Sequence, residues 1–322
     1  RFIRNFKFKK LADYAAPRFG MSTSDNNKFV RAWYEIGINK FAFPVHHYVD
    51  VDKTKKWYPY NNGGEYRRWY GNNIDVVNWE NDGAEIKNFG RAAIRNKNYY
   101  FSSGITWTAI SSAKISVRSF GYGYLFSSAG FCVFLNDLKF YMLAFTNSIV
   151  CNQILKVLSP TINFNVGDVA KLPIIIDRQE IIEKISQDLV SISKDDWDSF
   201  EISWDFEKHP LVPLAREMQE QKNTQFEDAR MKKFGLISTH YKLWEEACQV
   251  RFNELKQNEE ELNRIFIDIY GLQEELTPKV EDKDVTVRLA DLQRDVKSLI
   301  PYAVGCIFGR YSLDCPGLAY AG

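Results

Sequence analysis

The sequence predicts an α+β fold: a mixed α/β part over residues 1–176, then a mainly α-helical part over residues 177–322 with one long, coiled-coil-like helix. Three observations carry this. Short aromatic and β-branched runs fill the first part and are broken by Gly-Gly at Gly63, Asn-Asn at Asn72 and Asn-Asp-Gly at Asn81. In the second part Tyr241, Cys248, Leu255, Leu262 and Ile269 fall seven residues apart, the repeat of a helix packed along one stripe. Charge divides at the same place. Residues 1–176 carry 23 Lys and Arg against 12 Asp and Glu, and residues 177–322 carry 19 against 29, although the whole chain is only +1. With 322 residues, 45% of them hydrophobic, the chain is long enough for two cores.

Taken in order, residues 1–10 alternate Phe or Ile with Lys, Arg or Asn, the period of a strand, without the apolar block of a signal peptide. No initiator Met heads them, so the chain is expected to begin inside a longer protein. Strands and loops follow, with helices expected over residues 79–89 and 137–158; the latter places Leu138, Tyr141, Met142, Phe145, Ile149 and Leu155 at helical spacing. Residues 166–176 close the first part on Leu-Pro and three isoleucines. A helix over 178–191 then carries Ile181, Ile182, Ile185 and Leu189 on one face, and 195–210 read as a Trp- and Asp-rich connector. Along the heptad helix Trp244 and Ile265 supply part of a second seam, while Arg251 and Asn258 interrupt it. The stripe is therefore expected to pack on helices of its own chain. A last helix is expected to include 287–299, with Leu289, Leu292, Val296 and Leu299 inward.

Several function classes fall away. The longest apolar runs, at 141–150 and 172–176, are far below the roughly 20 residues of a membrane helix, so no membrane contact is expected. Cys132, Cys151, Cys248, Cys306 and Cys315 are odd in number and form no C-x-x-C pair, as expected of reduced thiols in a cytoplasmic protein. His46 and His47 are adjacent and would point to opposite faces of a strand. Asp195, Asp196 and Asp198 flank Trp197 and suit caps or turns, so no metal ligands are assigned. Phe120-Gly121-Tyr122-Gly123 matches part of the F-x-G-x-G loop that holds S-adenosylmethionine, but no Asn-Pro-Pro-Tyr type motif follows. It reads as a tight turn between strands, and neither catalytic nor cofactor-binding residues are assigned.

Basic and aromatic residues interleave in Glu65-Tyr66-Arg67-Arg68-Trp69-Tyr70, and Arg91, Arg95 and Lys97 follow close to Tyr99 and Tyr100. Guanidinium groups pair with phosphate or with guanine, and rings stack on exposed bases, although rings at this density also form the core of strand-rich domains and a solvated Arg needs no ligand. Asn61, Asn62, Asn72 and Asn73 have the donor–acceptor pair that reads an adenine edge. Double-stranded DNA is the partner this pattern fits, and the positive first part is where it would bind. The acidic helical part suits a spacer or a docking surface.

The segment Gly20-Met21-Ser22-Thr23-Ser24-Asp25-Asn26-Asn27-Lys28-Phe29 resembles the G-x-x-T-G-x-N-x-x-F motif of target-recognition domains in restriction-modification methyltransferases, with Ser24 where the motif has glycine. Residues 159–174, SPTINFNVGDVAKLPI, resemble the segment that closes such a domain. Lys56-Trp57-Tyr58-Pro59-Tyr60, Val77-Asn78-Trp79-Glu80-Asn81-Asp82-Gly83, Gly104-Ile105-Thr106-Trp107, Ser203-Trp204-Asp205-Phe206 and Tyr302-Ala303-Val304-Gly305-Cys306-Ile307-Phe308-Gly309-Arg310-Tyr311 are similar to the C-terminal half of the PglX family, the adenine-specific DNA methyltransferases of BREX phage-defence systems.

That resemblance implies a DNA-reading domain at 1–176 and a helical spacer at 177–322. It also implies an upstream domain, absent here, that holds S-adenosylmethionine and transfers a methyl group to adenine N6. The partners it implies are duplex DNA, that upstream domain and other defence-system proteins; the alternative is a protein-binding scaffold of the defence complex. Gly20 is expected to permit a strained backbone angle, Thr23 and Asn26 to hold the loop, and Phe29 to anchor it. Lys28 and Arg31 would face phosphate.

Overall fold

The structure, a computed structural model, describes residues 9–110, 114–135, 137–159, 163–213 and 237–319. Of the N-terminal alternation only Lys9 and Lys10 lie among them, and residues 160–162 of the closing segment lie outside. The chain forms two units, Arg1–Ser193 with Gln257–Thr286 and Lys194–Lys256 with Val287–Gly322. Helices and sheets both occur, as an α+β fold requires.

In the first unit β1 (Lys9–Lys10) leads into the short helix α1 (Leu11–Tyr14), and α2 (Asn26–Phe29) runs into β2 (Val30–Ala32). Then come β3 (Trp57–Asn61), β4 (Asp75–Asn78), α3 (Glu80–Lys87), β5 (Gly104–Thr108), β6 (Val117–Phe120), β7 (Leu125–Phe126) and β8 (Gly130–Val133). One sheet has the order β2-β4-β3-β7, antiparallel except for the parallel β3–β7 pair, and a second has the antiparallel order β6-β5-β8. Most of the rings that the sequence displays so densely are its core. Tyr58, Trp69, Trp107 and Phe126 are almost wholly buried, and Tyr100 sets its ring edge-on to Trp79 and Phe126 at 5.2 and 5.6 Å.

Helices α4 (Lys139–Asn147), α5 (Ile149–Leu158) and α6 (Val166–Val169) follow, and β9 (Pro173–Ile174) pairs with β1. The single helix expected over 137–158 is two. Ser148 takes an extended conformation (φ −71°, ψ 157°), and its hydroxyl caps the Cys151 amide, while Asn263 Oδ1 accepts from the Ile149 amide at 2.9 Å. The helix expected over 79–89 also differs. Asn81, Asp82 and Gly83 are left-handed, and only then does α3 turn right-handed. Gly83 is required there, because a Cβ would meet the Trp79 ring at 2.4 Å.

Helix α7 (Gln179–Asp198) extends seven residues past the expected end. Helix α8 (Ile237–Tyr270) carries the heptad stripe, and Cys248, Leu255 and Leu262 on it are buried. Its last turns belong to the first unit. Phe266 meets Tyr141 and Phe145 edge-on, Tyr270 stacks on Phe145 at 5.5 Å, and the Tyr270 hydroxyl donates to the Pro173 carbonyl. The stripe thus packs within its own chain, as expected.

The second unit contains α9 (Leu292–Ile307), which starts later than expected, on an Asp291 cap, and faces differently. Leu289, Leu292 and Val296 are exposed. Inward instead go Asp295, which accepts from the Trp244 indole and the Arg294 guanidinium, and Tyr302, which packs on Phe206 and Tyr311 beside Leu299. Asp196 is buried against Arg288, and Asp198 accepts from Ser203, so these carboxylates are structural. Cys132, Cys151 and Cys248 are buried thiols, whereas Cys306 is half-buried and Cys315 exposed. No helix among the described residues is long and apolar enough to cross a membrane.

Candidate nucleic-acid interface

The loop from Gly20 to Phe29 is built by its own side chains. Thr23 is buried and its hydroxyl donates to Asn26 Oδ1 at 2.6 Å, while Asp25 caps α2 by accepting the Lys28 amide at 3.0 Å. Phe29 is fully buried, edge-on to Phe89 at 5.2 Å. Ser24, which stands at the motif's glycine, is left-handed with φ 64°, so the turn keeps its shape without glycine. Gly20 works otherwise than expected. Its φ is not left-handed; a Cβ there would lie 1.8 Å from the Phe126 carbonyl oxygen. That close approach lets Gly20 and Met21 donate to Ser127 and Phe126, which ties the loop to the sheet.

A second loop, 89–97, is paired with this one. Ser22 and Ala93 exchange both backbone hydrogen bonds, and the Asn96 amide donates to the Phe19 carbonyl at 2.9 Å. Lys28, Arg91, Arg95 and Lys97 are all exposed on these two paired segments. Lys28 lies 5.0 Å from the Phe29 and Phe89 ring centroids and 3.3 Å from Glu85, and Lys97 pairs with Asp82. Arg95 lies over Phe19 at 5.4 Å, and no carboxylate among the described residues lies within 4 Å of Arg91 or Arg95. Beside α2 an open cleft of about 640 Å³ is lined by Asn26, Asn27, Arg31, Glu35, Asn62 and Asp75. Arg31 is partly committed to the Asn27 and Val30 carbonyls, and Asn62 donates to Asp75, whose carboxyl burial raises above its ordinary pKa.

The other basic–aromatic run lies largely inside the protein. Arg68 Nη1 meets Glu259 Oε2 at 2.9 Å, the Trp69 indole donates to Glu259 Oε1 at 2.6 Å, and the Tyr66 hydroxyl accepts twice from Arg68. Burial opposes the Arg68 charge, but Glu259 and Tyr66 outweigh it and hold its pKa above the ordinary value. Burial likewise raises the pKa of the Glu259 carboxyl. Arg68 and Trp69 are thus withdrawn from solvent, which corrects their expected place on a DNA-facing surface: a partner 191 residues away claims the guanidinium. Asn61 is also buried, with its amide toward Cys132 Sγ. Asn72 is a left-handed turn residue that donates to the Glu65 carbonyl, and Asn73 is buried. Arg67 and Tyr70 are half-buried. Sequence reasoning passed over Arg118, a buried arginine that donates to the Arg67 and Gly63 carbonyls and has its pKa lowered to about 10, chiefly by burial. Its position among the apolar residues of β6 is the signal that places it inside.

The glycine string at Phe120 is a strand turn. Gly123 is left-handed at φ 99°, its amide donates to the Phe101 carbonyl, and the Val45 amide donates to the Tyr122 carbonyl. Two backbone groups of this turn are thus bonded to neighbouring segments.

No protein-family model matches the chain. It is 43% identical, over 97% of its length, to the adenine-specific methyltransferase PglX of Lacticaseibacillus casei (strain Zhang), of which it covers 26%. It is 33% identical, over 94% of its length, to the adenine-specific methyltransferase BrxX of Escherichia coli O9:H4 (strain HS), of which it covers 24%. The chain therefore spans about a quarter of the length of adenine-specific methyltransferases of the PglX and BrxX type, and its likeness to that family runs along nearly all of its sequence.

Proposed function

We propose that the first unit recognises DNA on behalf of an adenine-specific methyltransferase, with methyl transfer from S-adenosylmethionine carried out by residues outside this chain. The observation that carries the reading is the paired-loop surface. A loop anchored by Phe29 and held by Thr23 and Asp25 exposes Lys28, and the loop paired with it exposes Arg91, Arg95 and Lys97. Such an array fixes register on phosphates, and the neighbouring cleft of Asn26, Asn27 and Arg31 supplies groups of the kind that read base edges. The likeness to PglX and BrxX supports the enzyme context.

The test is fluorescence anisotropy of the whole chain with a labelled duplex at several salt concentrations. Affinity that falls steeply with salt is expected, by roughly one unit of log–log slope per phosphate neutralised. Absent or salt-insensitive binding overturns the reading, and capture of defence-system proteins would then favour the scaffold alternative.

A further inference from the structure

Away from the paired loops, the first unit holds a second cleft, of about 610 Å³, whose walls are unusually aromatic: Tyr14, Tyr48, Tyr99, Tyr122 and Phe134 line it. Its volume is in the range of small-molecule sites. Tyr99 and Phe134 are already stacked, 4.8 Å apart and 22° from parallel, so the lining holds one ring-on-ring pair beside the separate Tyr48 and Tyr122 rings. Cations stand against the same rings. The Arg18 guanidinium lies 5.2 Å over Tyr99 and donates to its hydroxyl, and Lys53 Nζ lies 4.9 Å over Tyr48. Asn98, Ser102 and Asp137 add polar groups to the lining. The core rings of this unit are buried and packed on one another. These rings are half-buried or exposed and face a cavity.

We propose that this cleft takes a single unstacked nucleobase, stacked on its tyrosines, with the attached phosphate drawn to the adjacent cations. The combination of stacking rings and nearby positive charge is how sequence-tolerant single-strand sites work, and the polar lining can bond a base edge. A proline-rich peptide also favours aromatic walls, but it would leave the cations unused. The proposal rests on the reading of this unit as DNA-facing.

The experiment compares three probes on the whole chain: a paired duplex, the same duplex with one bulged 2-aminopurine, and a short single strand carrying 2-aminopurine. The bulged duplex is expected to bind at least about fivefold more tightly than the paired one, the low end of what stacking one base contributes. The 2-aminopurine emission should be quenched. Tyr122→Ser and Tyr48→Ser, at exposed or half-buried positions, should abolish the advantage and the quench without changing affinity for the paired duplex or the melting temperature. Equal affinity for both duplexes, or an advantage that both variants retain, overturns the proposal. If no duplex binds at all, the DNA-recognition reading fails separately and the single strand decides alone: a quench that disappears in Tyr122→Ser supports the cleft, and no quench overturns it.

Discussion

Replacing Glu259 by alanine should be among the most damaging single changes in the first unit. The carboxylate and the Arg68 guanidinium are both almost fully buried, and Glu259 is also the acceptor for the Trp69 indole. Removing it strands a buried positive charge, which costs about 3–5 kcal/mol. It also strands a buried N–H, which costs about 1–3 kcal/mol. The two overlap, because one relaxation or one admitted water serves both groups, so about 4 kcal/mol is the expected total. Urea denaturation followed by tryptophan fluorescence measures it. The paired replacement Arg68→Met with Glu259→Leu removes both charges and should recover most of the loss, since well-packed apolar groups commonly replace a buried pair at little cost. A loss below about 1 kcal/mol in Glu259→Ala, the size of an exposed ion pair, would refute the claim that this joint is buried and structural.

Other changes should sort in the same way. Phe29→Ala should cost about 3–5 kcal/mol in denaturation experiments, whereas Lys28→Ala, whose ion pair with Glu85 is exposed, should change stability by less than about 1 kcal/mol. Ser24→Gly should leave stability unchanged or raise it by up to about 1 kcal/mol by relieving a left-handed serine, and Ser24→Val should lower it; a destabilised glycine variant would argue against φ 64°. The second unit should weaken in acid. Burial lowers the His209 pKa to about 4 from an ordinary 6.5, so its neutral ring accepts the Leu211 amide. Between those values the unfolded chain binds the extra proton and the folded one does not, so stability falls as pH drops from about 6.5 to about 4. A His209→Gln variant should show a flatter pH profile across that window.

What the sequence made legible was local. The seven-residue stripe through Cys248, Leu255 and Leu262 needs only the period of a helix, and Phe29 needs only its place after a capped polar loop. The glycines of the Phe120 string announced a turn. What it hid depends on distant partners. Nothing near Arg68 in sequence distinguishes it from Arg91, yet one is claimed by Glu259 on α8 and the other is exposed. On α9 the apolar spacing of Leu292 and Val296 pointed to an inward face, but the Trp244 indole draws Asp295 inside instead. The break at Ser148 did leave a signal, a capping residue set within an apolar run, and continuous hydrophobic periodicity masked it.

The central claim, that the paired loops rather than the Arg67–Tyr70 run face DNA, comes down to one measurement: the salt dependence of duplex affinity in a variant with Lys28, Arg91, Arg95 and Lys97 all changed to alanine. These side chains lie outside the core, so the variant should melt like the parent chain. Its affinity should fall on every duplex alike, and its log–log salt slope should flatten by about 2 to 4 units, close to one for each phosphate that the variant no longer neutralises. A folded variant that keeps the parent's affinity and slope would contradict the account.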